Sequence, residues 1–260
     1  MSAGSSVRPV VLVTGAARRI GRAIALELAA HGHDVALHCH RESAESAATR
    51  EELRARGARA EVFAADLADE AACRALLPAV AARLGRVDAV VNNASRFAYD
   101  DAARFGHAEM EAHWRVNTAA PVLLAQALHE HLAARDGQGC VVNLLDQKLA
   151  NPNPDYLSYT LSKAALDAAT VMLAQALAPR VRVCGVSPGV TLLSGDMSEA
   201  EFAAAHRLTP LQRSSTPQDI AAAVRYLLGA RAVTGTTLLV DGGQHLAAQP
   251  RDVAFLVKTA

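Results

Sequence analysis

Residues 10–21, with the sequence VVLVTGAARRIG, decide the fold. The first half is an apolar run of strand length, and the second half is a glycine-containing turn that opens a run of helical periodicity. At such a turn, backbone N–H groups and the helix dipole hold phosphate, and glycine allows close approach to the backbone. Arg19 stands where the common dinucleotide motif has its middle glycine. The segment predicts a phosphate-binding turn, with an ordinary strand-to-helix turn as the alternative.

The rest of the chain repeats this alternation of strand-length apolar runs and longer helical segments. Strands are predicted at residues 10–14, 34–38, 60–64, 88–92, 139–145, 181–187 and 236–240, and helices at 20–30, 44–56, 70–84, 109–134, 159–178 and 217–228. The pattern is typical of an α/β fold with a single-domain, Rossmann-like, doubly wound parallel sheet of seven strands and helices on both faces. Ligands bind such sheets beyond the carboxyl ends of the strands, where we expect the functional residues.

Composition narrows the class of protein. The 260 residues are enough for one α/β domain, and 26 basic residues balance 26 acidic ones. This balance provides no general attraction for nucleic acid or for an anionic membrane. Neither a signal peptide nor a membrane-spanning apolar run is present in the sequence, so we expect a cytoplasmic protein. The four cysteines are far apart and no histidines have metal-ligand spacing, which predicts buried thiols and no catalytic metal.

The end of the second strand predicts the cofactor. An acidic residue there bonds the ribose hydroxyl of NAD and repels a 2′-phosphate. Here the sequence of residues 37–43 is LHCHRES, in which His40 and Arg41 suit a phosphate, while Glu42 argues the other way. NADPH is therefore favoured. Two further segments, Asp66–Leu67 after the third strand and residues 92–95 after the fourth, are either cofactor contacts or ordinary turns.

Tyr159 and Lys163 form the candidate catalytic pair. They lie four residues apart at the start of a predicted helix and therefore share one face. A cation beside a phenol lowers the pKa of the phenol, which would let Tyr159 exchange a proton at neutral pH while Lys163 grips a nicotinamide ribose. A surface pair of the same spacing is the alternative when the pair is considered in isolation.

Taken together, the motifs resemble the short-chain dehydrogenase/reductase family over nearly the whole chain. The glycine turn, residues 92–95, Asn117, the Tyr159–Lys163 pair, Pro188–Gly189 and residues 240–243 occur in the order and spacing of that family. The resemblance implies that Tyr159 donates a proton, that Lys163 binds ribose, and that Asn117 helps to hold a proton-relay water. It assigns cofactor contacts to Gly15, Arg19, Ile20, Gly21, His40, Arg41, Asp66, Leu67, Asn93, Ala94, Lys163, Pro188 and Gly189.

One departure from the family pattern points to a subgroup, because Asp146 stands thirteen residues before the tyrosine, where the family usually has serine. Pteridine reductases resemble this chain there and at Arg19, His40, Arg41, Ser95, Phe97, Asp196 and Met197. The resemblance implies a substrate site made of Arg19, Ser95, Phe97, Asp146, Tyr159, Thr191 and Asp196. Phe97 would stack on a pterin opposite the nicotinamide, and a core phenylalanine is the alternative.

The predicted function is NADPH-dependent reduction of a dihydropterin or dihydrofolate. Tyr159 donates a proton, and Asp146, kept partly protonated by burial, helps to supply it. A carboxylate that merely caps a turn is the alternative for Asp146. Ketones or quinones are alternative substrates, and a non-catalytic NADP-sensing protein is an alternative of another class.

Three further expectations concern the late part of the chain and the assembly. The loop at about residues 187–210 is predicted to be a substrate cover, since long loops in compact domains are often functional. The tail at about residues 244–260 is either a frayed end or packs on a neighbouring subunit. The apolar helix at 159–178 and its neighbour at 109–134 predict a homotetramer, because in the resembling family these two helices form the main subunit interface.

Overall fold

A computed structural model describes residues 8–193 and 197–257 of the chain. Within them, seven parallel strands form one sheet in the order β3-β2-β1-β4-β5-β6-β7. The strands are β1 (Val10–Val13), β2 (Asp34–Cys39), β3 (Ala60–Ala64), β4 (Ala89–Asn92), β5 (Gly139–Leu144), β6 (Val181–Pro188) and β7 (Thr237–Val240). The predicted α/β class and seven-stranded parallel sheet are confirmed. The order reverses between β1 and β4, and such a switch point opens a crevice at the carboxyl ends of the strands.

Helices connect the strands and cover both faces of the sheet. They are α1 (Arg19–Ala30), α2 (Ala44–Ala55), α3 (Glu70–Leu84), α4 (His107–Trp114), α5 (Ala120–Ala133), α6 (Leu157–Ala176), α7 (Glu199–Arg207), α8 (Pro217–Gly229) and α9 (Val253–Leu256). The single helix predicted at residues 109–134 is interrupted by a π-helical turn at Arg115–Ala119. The late loop contains α7, which begins with a capping box between Ser198 and Glu201.

The sheet is buried on both faces, and β1 shows why its sequence is apolar without interruption. Val11 and Val13 belong to the core beside α1 and α8, whereas Val10 and Leu12 belong to the core beside α3 and α5. Successive side chains of a strand point to opposite faces, so a strand covered on both sides needs apolar residues at every position. The four cysteines are buried and none of them forms a disulfide, as the sequence predicts.

The tail packs back onto its own chain. Arg251 forms an ion pair with Asp155, and Asn151 donates a hydrogen bond from its side-chain amide to the carbonyl of His245. The expectation of a frayed end is wrong for residues 244–257, because long-range polar contacts hold them.

The outer side of α6 leaves several apolar side chains uncovered. Leu161, Val171 and Met172 are exposed, Met172 at 67%. A subunit interface would bury them, and the homotetramer remains a prediction. In the part of the chain that the structure describes, no helix combines the length and the apolar character that crossing a bilayer requires.

Candidate active site

A cavity of about 340 Å³ opens at the carboxyl ends of the strands. Its walls come from the turn after β1, the loop after β4, the segment after β5, the start of α6, the loop after β6 and the C-terminal tail. The lining includes eleven residues predicted to bind cofactor or substrate, or to act in catalysis: Arg19, Ile20, Asn93, Ser95, Phe97, Asp146, Tyr159, Lys163, Pro188, Gly189 and Thr191. The fold therefore brings most of the predicted site together, as expected for a doubly wound sheet.

Asp146 and Tyr159 form a hydrogen-bonded pair in this cavity. The Tyr159 hydroxyl donates to Asp146 Oδ2 at 2.8 Å, and Asp146 Oδ1 accepts the backbone N–H of Lys148 at 2.9 Å. One oxygen thus caps a short helical turn, while the other holds the tyrosine. The two interpretations of Asp146, a participant in proton supply and a cap of a turn, are compatible because a carboxylate has two oxygens with separate lone pairs.

The surroundings raise the pKa values of both groups. Burial raises the pKa of Asp146 above its usual value. Burial and the neighbouring Asp146 raise the pKa of Tyr159 well above the ordinary phenol value. The predicted lowering of the Tyr159 pKa by Lys163 is therefore wrong for this structure, because burial and the Asp146 carboxylate raise that pKa.

Lys163 is held beneath the tyrosine ring. Its Nζ donates to the carbonyl of Leu144 at 2.7 Å and lies 5.8 Å from the centroid of the Tyr159 ring. Burial lowers the pKa of Lys163 to about 8. The anchor on β5 fixes the ammonium group at the floor of the cavity, and two of its three donors remain for a ligand or water.

Asn117 lies in the π-helical turn, and its side chain is hydrogen-bonded to the loop after β4. Its Oδ1 accepts the backbone N–H of Arg96 at 2.7 Å and the Ser95 hydroxyl at 3.2 Å. Its Nδ2 donates to the carbonyl of Arg96 at 2.9 Å and to Ser162 Oγ at 3.0 Å. These four bonds use the whole capacity of the side chain. A relay water would have to bind the main chain of Asn117, and its relay role remains a prediction.

The turn after β1 has the backbone that a phosphate site needs. Gly15 has φ +63°, and a Cβ on Gly21 would lie 2.3 Å from the Gly15 oxygen. The start of α1 has no side-chain cap, which leaves orphan N–H groups for an anion. Asn93 donates from Nδ2 to the carbonyls of Thr14 at 2.8 Å and Gly15 at 3.2 Å. Its side chain therefore shapes the turn, so that a direct cofactor contact through the amide nitrogen is not available.

His38 supports the glycine turn, a contact that the sequence analysis missed. It is buried in β2, and its Nδ1 accepts the backbone N–H of Gly15 at 3.2 Å. Its Nε2 lies 3.1 Å from the carbonyl of Ala65, so the bonding network assigns the proton to Nε2. Burial lowers the pKa of His38 to about 4. A titratable residue inside an otherwise apolar strand was the available signal.

The predicted cofactor-selecting residues lie on the surface beyond β2. His40, Arg41, Glu42 and Asp66 are exposed, and His40 Nδ1 lies 3.7 Å from Asp66 Oδ1. Within residues 8–193 and 197–257, no salt bridge joins Arg41 to Glu42. Asp66 Oδ1 also accepts the backbone N–H of Ala68 at 2.9 Å.

Three other residues that were predicted to bind the cofactor are Leu67, Ala94 and Gly189. Leu67 is buried in the core at 7% exposure. Ala94 donates its N–H to Thr14 Oγ1 at 2.9 Å. At Gly189 a Cβ would lie 2.5 Å from Ser214 Oγ and 2.8 Å from Asp241 Cβ, which explains the glycine after Pro188.

On the substrate side, Phe97 is 48% exposed, so the alternative of a core phenylalanine is wrong. Its ring stacks on Tyr156 with centroids 4.4 Å apart and meets Tyr159 edge-on at 4.7 Å. Thr191 is buried and donates to the carbonyl of Gly189 at 2.8 Å. Asp196 lies outside the described residues. Among the residues that are described, no three or more His, Cys, Asp or Glu side chains are grouped to hold a metal ion.

Known proteins resemble this chain over almost its full length. The family model described as enoyl-(acyl carrier protein) reductase matches residues 15–245. FolM alternative dihydrofolate reductase 1 of Brucella canis, crystallised with NADP, superimposes with a TM-score of 0.87 and 41% identity over 95% of this chain and 98% of its own.

Two curated relatives differ in substrate. Pteridine reductase 1 of Leishmania tarentolae is 34% identical over 93% of this chain and 98% of its own. A granaticin polyketide synthase ketoacyl reductase of Streptomyces violaceoruber is 35% identical over 95% of this chain and 100% of its own. The sheet, the glycine turn and the Tyr159–Lys163 pair define a Rossmann-type oxidoreductase. The chain belongs to the short-chain dehydrogenase/reductase family.

Proposed function

We propose that the protein is an NADPH-dependent reductase that converts a dihydropterin or dihydrofolate to the tetrahydro form. The observation that carries this proposal is the 2.8 Å hydrogen bond between Tyr159 and Asp146, a carboxyl group where the family usually has serine. The names of two relatives, an alternative dihydrofolate reductase and a pteridine reductase, support the same substrate class.

The residues present fit a phosphorylated dinucleotide. The uncapped start of α1 offers backbone N–H groups for a pyrophosphate. His40 and Arg41, exposed beyond β2, offer donors for a 2′-phosphate. Lys163 reaches the cavity floor and has donors for a ribose hydroxyl. When bound, NADPH supplies the hydride.

The protein itself supplies the proton and an aromatic surface against which the pterin ring can stack. Reduction of a dihydropterin adds a hydride to a ring carbon and a proton to a ring nitrogen. The Tyr159 hydroxyl, which is hydrogen-bonded to Asp146, carries a proton that it can pass to that nitrogen, and burial raises the pKa values of both groups. The exposed ring of Phe97 offers an aromatic face for the flat heterocycle.

An absorbance assay of NADPH consumption tests the proposal with a panel of substrates. Dihydropterins and dihydrofolate should be reduced with a kcat/KM well above that for ketones, quinones and 3-oxoacyl thioesters, and Tyr159→Phe should slow the reaction strongly. Consumption with ketones or thioesters alone would assign the protein to the ketoacyl reductases that it also resembles. NADPH binding without consumption for any substrate would favour a cofactor-sensing protein.

A further inference from the structure

The C-terminal segment 249–257 forms a wall of the catalytic cavity. Gln249 and Arg251 to Ala254 line the same cavity as Asp146 and Tyr159. The family model ends at residue 245, so this segment lies beyond the part of the chain that the model matches. Its contribution to the site is a property of this chain that the family pattern does not assign.

The ion pair between Arg251 and Asp155 acts as a latch that holds the segment against the loop before α6. The guanidinium group of Arg251 donates from Nε to Asp155 Oδ2 at 2.8 Å and from a terminal nitrogen to Asp155 Oδ1 at 2.8 Å. Asp155 also accepts the backbone N–H of Asp252 at 2.7 Å and is itself 2% exposed. The Arg251 guanidinium lies 4.8 Å from the centroid of the Phe255 ring. Bidentate geometry and burial make this contact stronger than an ordinary surface pair.

The latch places the Asp252 carboxylate next to the residues that hold Asp146. Asp252 Oδ2 lies 3.4 Å from Lys148 Nζ, which is buried, and the backbone N–H of Lys148 donates to Asp146 Oδ1. Asp252 Oδ1 accepts the N–H of Ala254 at 3.1 Å, which fixes the carboxylate plane. The Asp252 carboxylate, paired with the Lys148 ammonium, thus lies one residue contact away from the Asp146–Tyr159 pair.

From this arrangement we propose that Asp252 is a positioning residue, delivered by the Arg251–Asp155 latch, which keeps the proton on the Asp146–Tyr159 pair during reduction. The inference rests on the proton-donor role given to that pair under the proposed function. Burial is the largest cause of the raised pKa values of Asp146 and Tyr159, and the charge of Asp252 adds to both. Among the described residues, the charged and titratable groups around the pair include Lys163, Lys148, His113, Tyr156 and Asp252, with Arg251 and Asp155 next to Asp252.

Removing the charge with Asp252→Asn tests this role. Without it, the pKa values of Asp146 and Tyr159 fall, so the pair loses its proton at lower pH. The alkaline limb of kcat/KM should therefore move to lower pH by about half a unit or more. Arg251→Ala, which releases the segment, should shift the limb in the same direction, and combining the two substitutions should add little. Asp252→Glu should restore most of the parent profile.

The matched control is Glu70→Gln, which removes one negative charge from an exposed pair with Arg74 on α3 and should leave the profile unchanged. A second measurement needs no turnover: the ultraviolet titration of the Tyr159 phenol, obtained by subtracting the spectrum of Tyr159→Phe. Its midpoint should fall in Asp252→Asn. An unchanged midpoint in a folded Asp252→Asn protein would overturn the inference. Failure to reduce any pterin would refute only the proposed function, because the phenol titration stands independently.

Discussion

The cofactor side and the substrate side of the cavity are built in different ways. The turn after β1 is held by backbone groups, two glycines and short polar side chains, among them Asn93 and His38. The substrate side is held by long side chains from distant parts of the chain, such as Phe97 on Tyr156 and Arg251 on Asp155. A backbone site is determined by local sequence and suits a ligand that relatives hold in common, such as the NADP bound in two FolM structures. A site made of long side chains can change its ligand with few substitutions, consistent with relatives that differ in substrate.

The largest effect should come from Tyr159→Phe, because it removes the hydroxyl that donates the proton but keeps the ring. We expect kcat to fall by about a thousandfold, while the Kd for NADPH changes little. Steady-state kinetics and fluorescence titration measure the two quantities. Gln175→Ala, at an exposed position of the same helix, is a control for helix integrity, and a similar loss of kcat in both variants would contradict the prediction.

The second prediction concerns the stability contributed by His38, the buried histidine of β2 that accepts a hydrogen bond from Gly15 in the phosphate-binding turn. The pKa of His38 is lowered to about 4 in the folded protein, against 6.5 unfolded. Between these values the unfolded chain binds the proton and the native one does not. Stability is therefore fully present above pH 6.5 and falls by about 3 kcal/mol as the pH drops to 4.

The measurement is urea unfolding of the parent and of His38→Gln over that pH range. The glutamine can still accept from Gly15 but does not titrate, so most of the pH dependence assigned to this site should vanish. Equal pH dependence in the two proteins would show that His38 is not the titrating group.

Gly21→Ala should damage the cofactor side alone. The new Cβ would lie 2.3 Å from the Gly15 oxygen and 2.5 Å from Asn93 Nδ2, so the turn has to shift. We expect NADPH to bind about thirtyfold more weakly, within the range of effects of strained backbone sites. Calorimetric titration measures the affinity. Gly106→Ala, where nothing lies within 4 Å of the added Cβ, is the matched control and should bind normally.

Asp146→Ser restores the usual family residue and should affect the substrate side alone. Turnover of a dihydropterin should fall by about tenfold or more, with NADPH binding unchanged, because the carboxyl group no longer shares the proton of Tyr159. Kinetics over a pH series measure this, with Asp101→Ser as a control on the exposed loop. Parental rates across the series would make Asp146 a structural cap.

The smallest effect is expected at the surface beyond β2. Arg41→Ala should weaken NADPH binding by about fivefold and leave NADH binding nearly unaltered, since an exposed phosphate contact is screened by water. Glu42→Gln is the paired control and should strengthen NADPH binding slightly. Equal affinity of the parent for both cofactors would mean that Glu42 cancels Arg41.

Much of the fold follows from local sequence. The apolar strands, the glycine turn and the spacing of Tyr159 and Lys163 are visible because burial and helical periodicity impose short-range patterns on the chain. The π-helical turn at Arg115–Ala119 could not be predicted, because it depends on Asn117 reaching the loop after β4.

The sequence alone determined the sheet and the glycine turn after β1, and it predicted the catalytic residues. Only the tertiary structure decided that His38 supports Gly15, that Asp146 accepts from Tyr159, and that the tail closes the cavity. The physical reason is that these contacts join residues far apart along the chain, by 96 positions for Arg251 and Asp155. The pKa of Tyr159 is a second example of a property that only the tertiary structure decided. It is raised by burial and by a neighbouring carboxylate, and the spacing of residues along a helix reveals neither.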